Sequence, residues 1–250
     1  MDAARVVAEI RAGLEAVATA ERAANEKRYL KSDLEFIGAT VPATAKVVRD
    51  VLKAHGALAR PDVTTLALGL WQHPVHELRA AAVMVLARNA GLLEPPDLPL
   101  VEQFLREAKT WALVDQLAAH VAGPMVVHHP GLGSELDRWA QDDDFWIRRS
   151  AMLALLVPLR EGGGDWERFT RFADSMLHEK EFFIRKAIGW VLRDTSRKRP
   201  GIVTAWVEPR AARCSGVTIR EAVRRLPPED AERIMTAYRA GEGNKRSRKI

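Results

Sequence analysis

Asp115 stands four residues after Trp111, a separation that puts both side chains on one face of a helix, a turn apart. A fixed carboxylate stabilises positive charge developing beside it, and it can orient or deprotonate a water. An indole face attracts a cation by about 0.5 to 2 kcal/mol, depending on how far water is excluded. Trp146 and Arg149 begin a later helical stretch, and Trp190 lies inside the next. By residue type alone the alternatives stay open. A tryptophan is as readily core, and an acid such as Asp115 as readily caps a helix or joins an ion pair.

Other chemistry-bearing groups are weaker. His73-Pro74-Val75-His76-Glu77 has two histidines three apart, but Pro74 breaks the helix face that a zinc pair needs. His128-His129 precede a turn and read as surface. Gly162-Gly163-Gly164 lacks the following Lys and Ser/Thr of a phosphate loop and reads as a flexible connector. The single Cys214 leaves no internal disulfide and no multi-cysteine metal site. No metal and no cofactor are expected.

The elements that must position Trp111 and Asp115 are helices. Val6, Val7, Ile10, Leu14 and Val17 recur at helical spacing, as do Ala82, Val85, Leu86 and then Met152, Leu155, Leu156. Alternating strand-like runs are scarce. Breakers at Val41-Pro42, Arg60-Pro61, Pro95-Pro96, His129-Pro130-Gly131, Gly162–Gly164, Arg199-Pro200-Gly201 and Pro227-Pro228 divide the chain into helices of roughly 10 to 18 residues. The class is all-α.

A weak repeat runs through these helices. Leu78-Arg79, Ile147-Arg148, Ile184-Arg185 and Ile219-Arg220 each begin the order apolar, Arg, any, small, with spacings of 69, 37 and 35 residues. Two-helix units of such length are the mark of HEAT-type solenoids. The long first gap is close to two periods, so a missing unit belongs near Val114-Asp115. Asp115 then occupies, to within one residue, the place where the other units carry arginine. A carboxylate in that register is expected to share a cationic surface.

Charge is uneven as well. Residues 1–144 hold 15 Lys/Arg against 20 Asp/Glu, and residues 145–250 hold 23 against 13, within a net charge of +5. A basic half can meet a polyanion, and phosphate contacts are the largest sequence-independent source of DNA affinity. An unliganded basic surface is the equal alternative. No apolar run reaches the roughly 18 residues of a membrane span, and Met1-Asp2-Ala3-Ala4-Arg5 lacks a secretory pattern. A cytoplasmic, bacterial-type monomer is expected, nucleoid-associated when on DNA. It would comprise one HEAT-like domain over residues 1–240 and a basic, disordered tail over 241–250.

Three segments carry a more specific likeness. Lys109-Thr110-Trp111-Ala112-Leu113-Val114-Asp115, Asp144-Phe145-Trp146-Ile147-Arg148-Arg149 and the stretch Lys180 to Arg193 resemble, in order, the AlkD-type DNA alkylation repair family. Phe36 to Pro42 and Leu70-Trp71 are similar to that family's N-terminal helices. The likeness covers roughly residues 25 to 210.

The resemblance implies a right-handed superhelix of HEAT-like repeats holding duplex DNA in a concave, cationic cleft. It implies excision of 3-methyladenine, 7-methylguanine and, for some members, bulkier purine adducts, with the lesion left stacked. Residue by residue, Asp115 matches the catalytic aspartate, Trp111 and Trp190 the indoles flanking the lesion, and Arg149 an arginine on the adjacent backbone. Tyr29 matches a tyrosine lining the cleft. Arg148, Arg185, Lys186, Arg193 and Lys109 are the further DNA contacts expected. Ala112 and Leu113 are less polar, and Asp33-Leu34-Glu35 more acidic, than the family pattern, which bears on lesion range. Two other readings stand beside the glycosylase: a non-catalytic DNA-binding solenoid and a protein scaffold.

Overall fold

The computed structural model describes residues 1–247, with side chains through Gly241, so the basic tail expected over 241–250 falls almost wholly outside the described side chains. Every regular element among the described residues is helical, apart from an isolated bridge between Glu35 and Val75. No helix among them is long and apolar enough to cross a membrane. The chain divides into two compact units, Met1–Pro130 and Gly131 onward.

In the first unit, α1 (Ala3–Glu15) starts on the Asp2 side chain, which accepts from the Arg5 N–H as an N-cap. It buries Val6, Val7, Ile10 and Leu14 against α3 (Val41–His55) and α4 (Arg60–Trp71). Val17, expected on the same face, lies beyond the helix end and is 47 % exposed. Between α1 and α3, α2 (Ala20–Leu30) buries none of its residues. The prolines that punctuate the sequence begin helices: Pro42, Pro61 and Pro200 all sit in first turns, where a missing N–H costs nothing. α5 (His76–Arg88) packs on α3, α4 and α7. α6 (Leu98–Ala108) is followed by α7 (Trp111–Leu117), a π-helical turn over Ala118–Ala122, and α8 (Gly123–His128). Pro124 has no N–H to continue the ladder, and the N–H of Gly123 reaches back five residues to the Ala118 carbonyl.

In the second unit, α9 (Gly133–Trp139) precedes α10 (Phe145–Leu153), α11 (Leu156–Arg160), α12 (Trp166–Met176), α13 (Phe182–Thr195), α14 (Pro200–Val207), α15 (Gly216–Ala222) and α16 (Pro228–Ser247). Met152, Leu155 and Leu156 are all buried, but not on one helix, because the chain turns between Leu153 and Leu156. The helices bearing the sequence repeat are neighbours within each unit: α5 lies on α7, and α13 lies on both α10 and α15. The Gly162–Gly164 connector is a defined turn. Gly162 and Gly164 have φ of 90° and 73°, and a Cβ on Gly164 would sit 2.9 Å from the Leu159 nitrogen.

Candidate functional site

α7 begins where Thr110 leaves the left-handed corner at Lys109, which has a φ of 49° and is exposed. Trp111 and Asp115 therefore occupy the first and fifth positions of one helix, on the shared face their spacing requires. Asp115 is only 7 % exposed, and Leu113, Val114 and Leu117 fix the helix from its buried side. Trp111 is half-buried. Its ring meets Tyr29 edge to face, centroids 6.0 Å apart and planes at 89°, so α2 and α7 are joined by an aromatic pair. Tyr29 is 71 % exposed, the most open large apolar side chain among the described residues.

Beside this pair lies a cavity of about 310 Å³ between α2, α3, α5 and α7. Trp111, Tyr29, Leu113 and Met84 line it, with Glu26, His76 and Gln116 as its polar groups. His76 is 6 % exposed, stacked on Phe36 at 4.9 Å, and its Nδ1 has no hydrogen-bond partner in the described structure. Burial pushes its pKa below the ordinary histidine value, against the opposing pull of Glu77 and Glu26. Glu77, next in sequence, is 2 % exposed and accepts from the N–H groups of Ile37 at 3.0 Å and Gly38 at 2.6 Å, which fixes the segment leading into α3. Sequence spacing singled out His76 only as a poor metal ligand. Nothing in that spacing announces the cavity, because its walls come from four separate helices.

In the second unit the expected DNA-contacting cations have internal partners. Arg148 donates through Nε and Nη2 to Glu179 at 3.0 and 2.8 Å, and through Nη1 to the carbonyls of Asp142 at 2.6 Å and Asp143 at 2.9 Å. Arg185 Nε donates to the Glu179 carbonyl at 2.8 Å. In the first unit Arg79 Nε donates to the His73 carbonyl at 3.4 Å and Nη1 to the Glu107 carbonyl at 3.0 Å. Three repeat arginines thus reach the carbonyl six residues back and tie each helix to its preceding loop. At Arg148 and Arg185 these bonds give the guanidinium a structural task inside the second unit. Each of these arginines is the fourth residue of its helix; in α7 that position is held by Val114, and Asp115 follows it as the fifth.

The remaining candidates cluster on α13. Arg149 is 2 % exposed; its guanidinium donates to the Phe183 carbonyl and lies 5.7 Å from the Phe183 ring centroid. Lys186 Nζ bonds Glu221 at 2.5 Å, and Arg193 joins the same carboxylate and Asp194. Trp190, half-buried, donates its indole N–H to Asp194 at 3.1 Å. Asp194 also pairs with Arg160 at 2.6 Å. Burial pushes the Asp194 and Glu221 carboxyls up, but their cation partners outweigh it and hold both below the usual carboxylate values. The tryptophans divide accordingly. Trp71, Trp139, Trp146 and Trp206 are core, whereas Trp111, Trp166 and Trp190 are only half-buried. Among the described residues no group of three His, Cys, Asp or Glu is placed to hold a metal ion.

Similarity to known proteins follows this geometry. The family described as DNA alkylation repair enzyme matches residues 10–226. A solved structure described as a predicted DNA alkylation repair enzyme from Enterococcus faecalis superposes with a TM-score of 0.75 at 22 % identity, covering 84 % of this chain and 97 % of that one. The smu.31 protein from Streptococcus mutans UA159 superposes with a TM-score of 0.51 at 14 % identity, covering 87 % and 96 %. At such identities both speak to the fold. No curated protein matches the chain.

Proposed function

The chain belongs to the DNA alkylation repair enzyme family, and from that premise we propose that it is a glycosylase that hydrolyses the N-glycosidic bond of cationic N-alkylated purines in duplex DNA. The observation that carries this reading is Asp115, a nearly buried carboxylate one helical turn from a half-exposed indole. Alkylation of a ring nitrogen makes the purine cationic and a good leaving group. The bond to the sugar breaks with its electron pair going to the base, which leaves neutral. Positive charge develops on the deoxyribose, as in glycoside hydrolysis, but no strong general acid is needed. Asp115 stabilises that charge and orients the water whose oxygen bonds C1′, and the water's proton is lost to give an abasic site. One carboxylate is enough.

The substrates proposed are 3-methyladenine and 7-methylguanine lesions. Trp111 stands beside the carboxylate as the cation-attracting face. The fold is read as a right-handed solenoid of HEAT-like repeats presenting a cationic concave face to DNA. Tyr29, Lys109 and Trp190 are proposed as DNA contacts, joined by Arg149, Lys186 and Arg193, whose acidic and carbonyl partners then hold these cations in position.

The test is base release. Wild-type protein incubated with methylated duplex DNA liberates modified purines and leaves abasic sites. Asp115→Asn lowers that rate by about 100-fold or more, the scale of losing a preorganised charge at a transition state, while duplex binding stays within about twofold. Full activity of the variant removes Asp115 from the mechanism. Duplex binding with no base release from any alkylated substrate leaves a DNA-binding protein without this catalysis.

A further inference from the structure

We propose that Arg79 and Glu107 are positioning residues for the candidate site: together they fix the corner from which α7 carries Trp111 and Asp115. The proposal rests on the glycosylase reading for what the position of Asp115 serves, and on hydrogen-bond geometry for the rest.

α7 cannot set its own position. It has seven residues, Trp111–Leu117, and a π-helical turn follows it directly. Helices shorter than about 12 residues are marginal by themselves, so α7 stands where its neighbours put it. Leu113, Val114 and Leu117 hold it in the core. Burial of apolar surface is non-directional, however, and leaves a short helix free to slide or turn by small amounts. Directional bonds remove that freedom. They lie just before the helix, at Glu107 in the last turn of α6.

All three oxygens of Glu107 are occupied. Its carbonyl accepts from Arg79 Nη1 at 3.0 Å, Oε2 from the Trp71 indole N–H at 2.7 Å, and Oε1 from the Gln103 amide at 2.9 Å. Arg79 and Trp71 belong to the preceding helix pair, α4 and α5, and both are fixed in turn. Trp71 is 2 % exposed and stacks on Phe104 with centroids 4.1 Å apart. The Arg79 guanidinium lies 4.8 Å from the Trp71 ring centroid, and its Nε donates to the His73 carbonyl at 3.4 Å. One guanidinium therefore joins the loop before α5 to the end of α6. Arg148 and Arg185 differ, since the carbonyls they meet lie in the loops before their own helices. From Glu107 the path to the site is short. Ala108 and Thr110 are buried, and Lys109 between them turns the chain with a φ of 49°. The Thr110 carbonyl then accepts the N–H groups of Leu113 at 3.2 Å and Val114 at 3.1 Å, which start α7. A shift at Glu107 thus passes directly into α7. Misplacing a catalytic group by about 1 Å can cost on the order of 100-fold in rate, even when the change is made far from the chemistry.

Single-turnover base release from methylated duplex, measured beside duplex affinity on the full chain, tests the pair. Arg79→Met, and Arg79→Lys with one nitrogen in place of the fork, lower the rate by about tenfold while duplex Kd stays within about twofold. Glu107→Ala, which strips the Trp71 indole of its acceptor, does the same. Glu107→Gln keeps a side-chain oxygen for that N–H and restores the rate to within about twofold of wild type. A role in stability alone would lower Tm and leave the rate unchanged at temperatures well below melting. Hydrogen exchange gives a second readout that needs neither DNA nor catalysis. In Arg79→Met the amides of residues 113–117 exchange about tenfold faster, while those of α13 keep wild-type rates and confirm the fold. The proposal is overturned if Arg79→Met releases base at the wild-type rate, if Glu107→Gln is as slow as Glu107→Ala, or if exchange in α7 is unchanged. It is also overturned if Arg79→Met weakens binding and lowers the magnitude of the salt slope by about one, the mark of a phosphate contact. Wild-type protein that releases no methylated purine defeats the glycosylase reading instead, and exchange in α7 still decides whether the corner is held as proposed.

Discussion

Arg148 shows how much work one guanidinium does inside the second unit. It bridges the Glu179 carboxylate and two loop carbonyls, and its side chain is 18 % exposed. Replacing it by methionine keeps the stem but leaves Glu179, 17 % exposed, without this partner and the Asp142 and Asp143 carbonyls without a donor. Arg148→Met is expected to destabilise the protein by about 2 kcal/mol, from hydrogen bonds to a charged group and acceptors left unmet. At about 2–4 °C per kcal/mol for a chain of this size, that is a readily measured fall in Tm. The salt dependence of DNA binding should stay the same, because a phosphate contact would lower the magnitude of its slope by about one. A stable variant with a shallower slope would return Arg148 to the DNA. The repeat of arginines was legible in the sequence, whereas Asp115 falls one residue beyond their position, which Val114 holds in α7. The arginines' task was not legible, because a carbonyl six residues back is backbone and leaves no mark on residue type.

At the level of elements, the close approach of α13 and α15 turns on Gly189. A Cβ at that position would lie 2.7 Å from Glu221 Cβ and 2.9 Å from the Thr218 carbonyl oxygen. In an isolated helix Gly→Ala is stabilising by about 1 kcal/mol. Here the methyl group must push two packed helices apart, at a cost of about 1–3 kcal/mol. Gly189→Ala is therefore expected to lower stability by about 1 kcal/mol on balance, read by chemical denaturation, and a gain in stability would contradict the packing. Helix starts were well marked in the sequence, since caps such as Asp2 and Asp144 and first-turn prolines carry their own geometry. Interruptions were poorly marked. Apolar spacing runs on through the break after Leu153 and the π turn at Ala118–Ala122, because both sides of each remain buried in the same core. The cavity was hidden for a related reason: residues from Glu26 to Gln116 meet there, and no local pattern joins them.

For the molecule as a whole, where the structure divides changes the meaning of its charge. Cut after Asp144, the sequence looks strongly polarised. Cut at the boundary of the compact units, residues 1–130 hold 14 Lys/Arg against 15 Asp/Glu, and residues 131–250 hold 24 against 18. The difference is the acidic run from Glu135 to Asp144, which is consumed inside the second unit. Asp137 pairs with Arg168 and Arg171, both at 3.2 Å, and Asp144 caps α10 through the Trp146 N–H at 2.9 Å. Other cations are matched in the same way, as Arg160 is by Asp194 and Arg210 by Asp174. Positive charge left over for a polyanion is therefore closer to six than to ten. Each phosphate neutralised on duplex DNA contributes about −0.9 to the slope of log K against log salt, so six set a limit of about −5. Fluorescence anisotropy on an unmodified duplex between about 50 and 200 mM salt should give a slope of about −3 to −5. A slope near zero would leave the basic excess without a nucleic-acid role. One much steeper than −5 would mean that the internal ion pairs open when DNA arrives, with Lys186 and Arg193 exchanging Glu221 for phosphate.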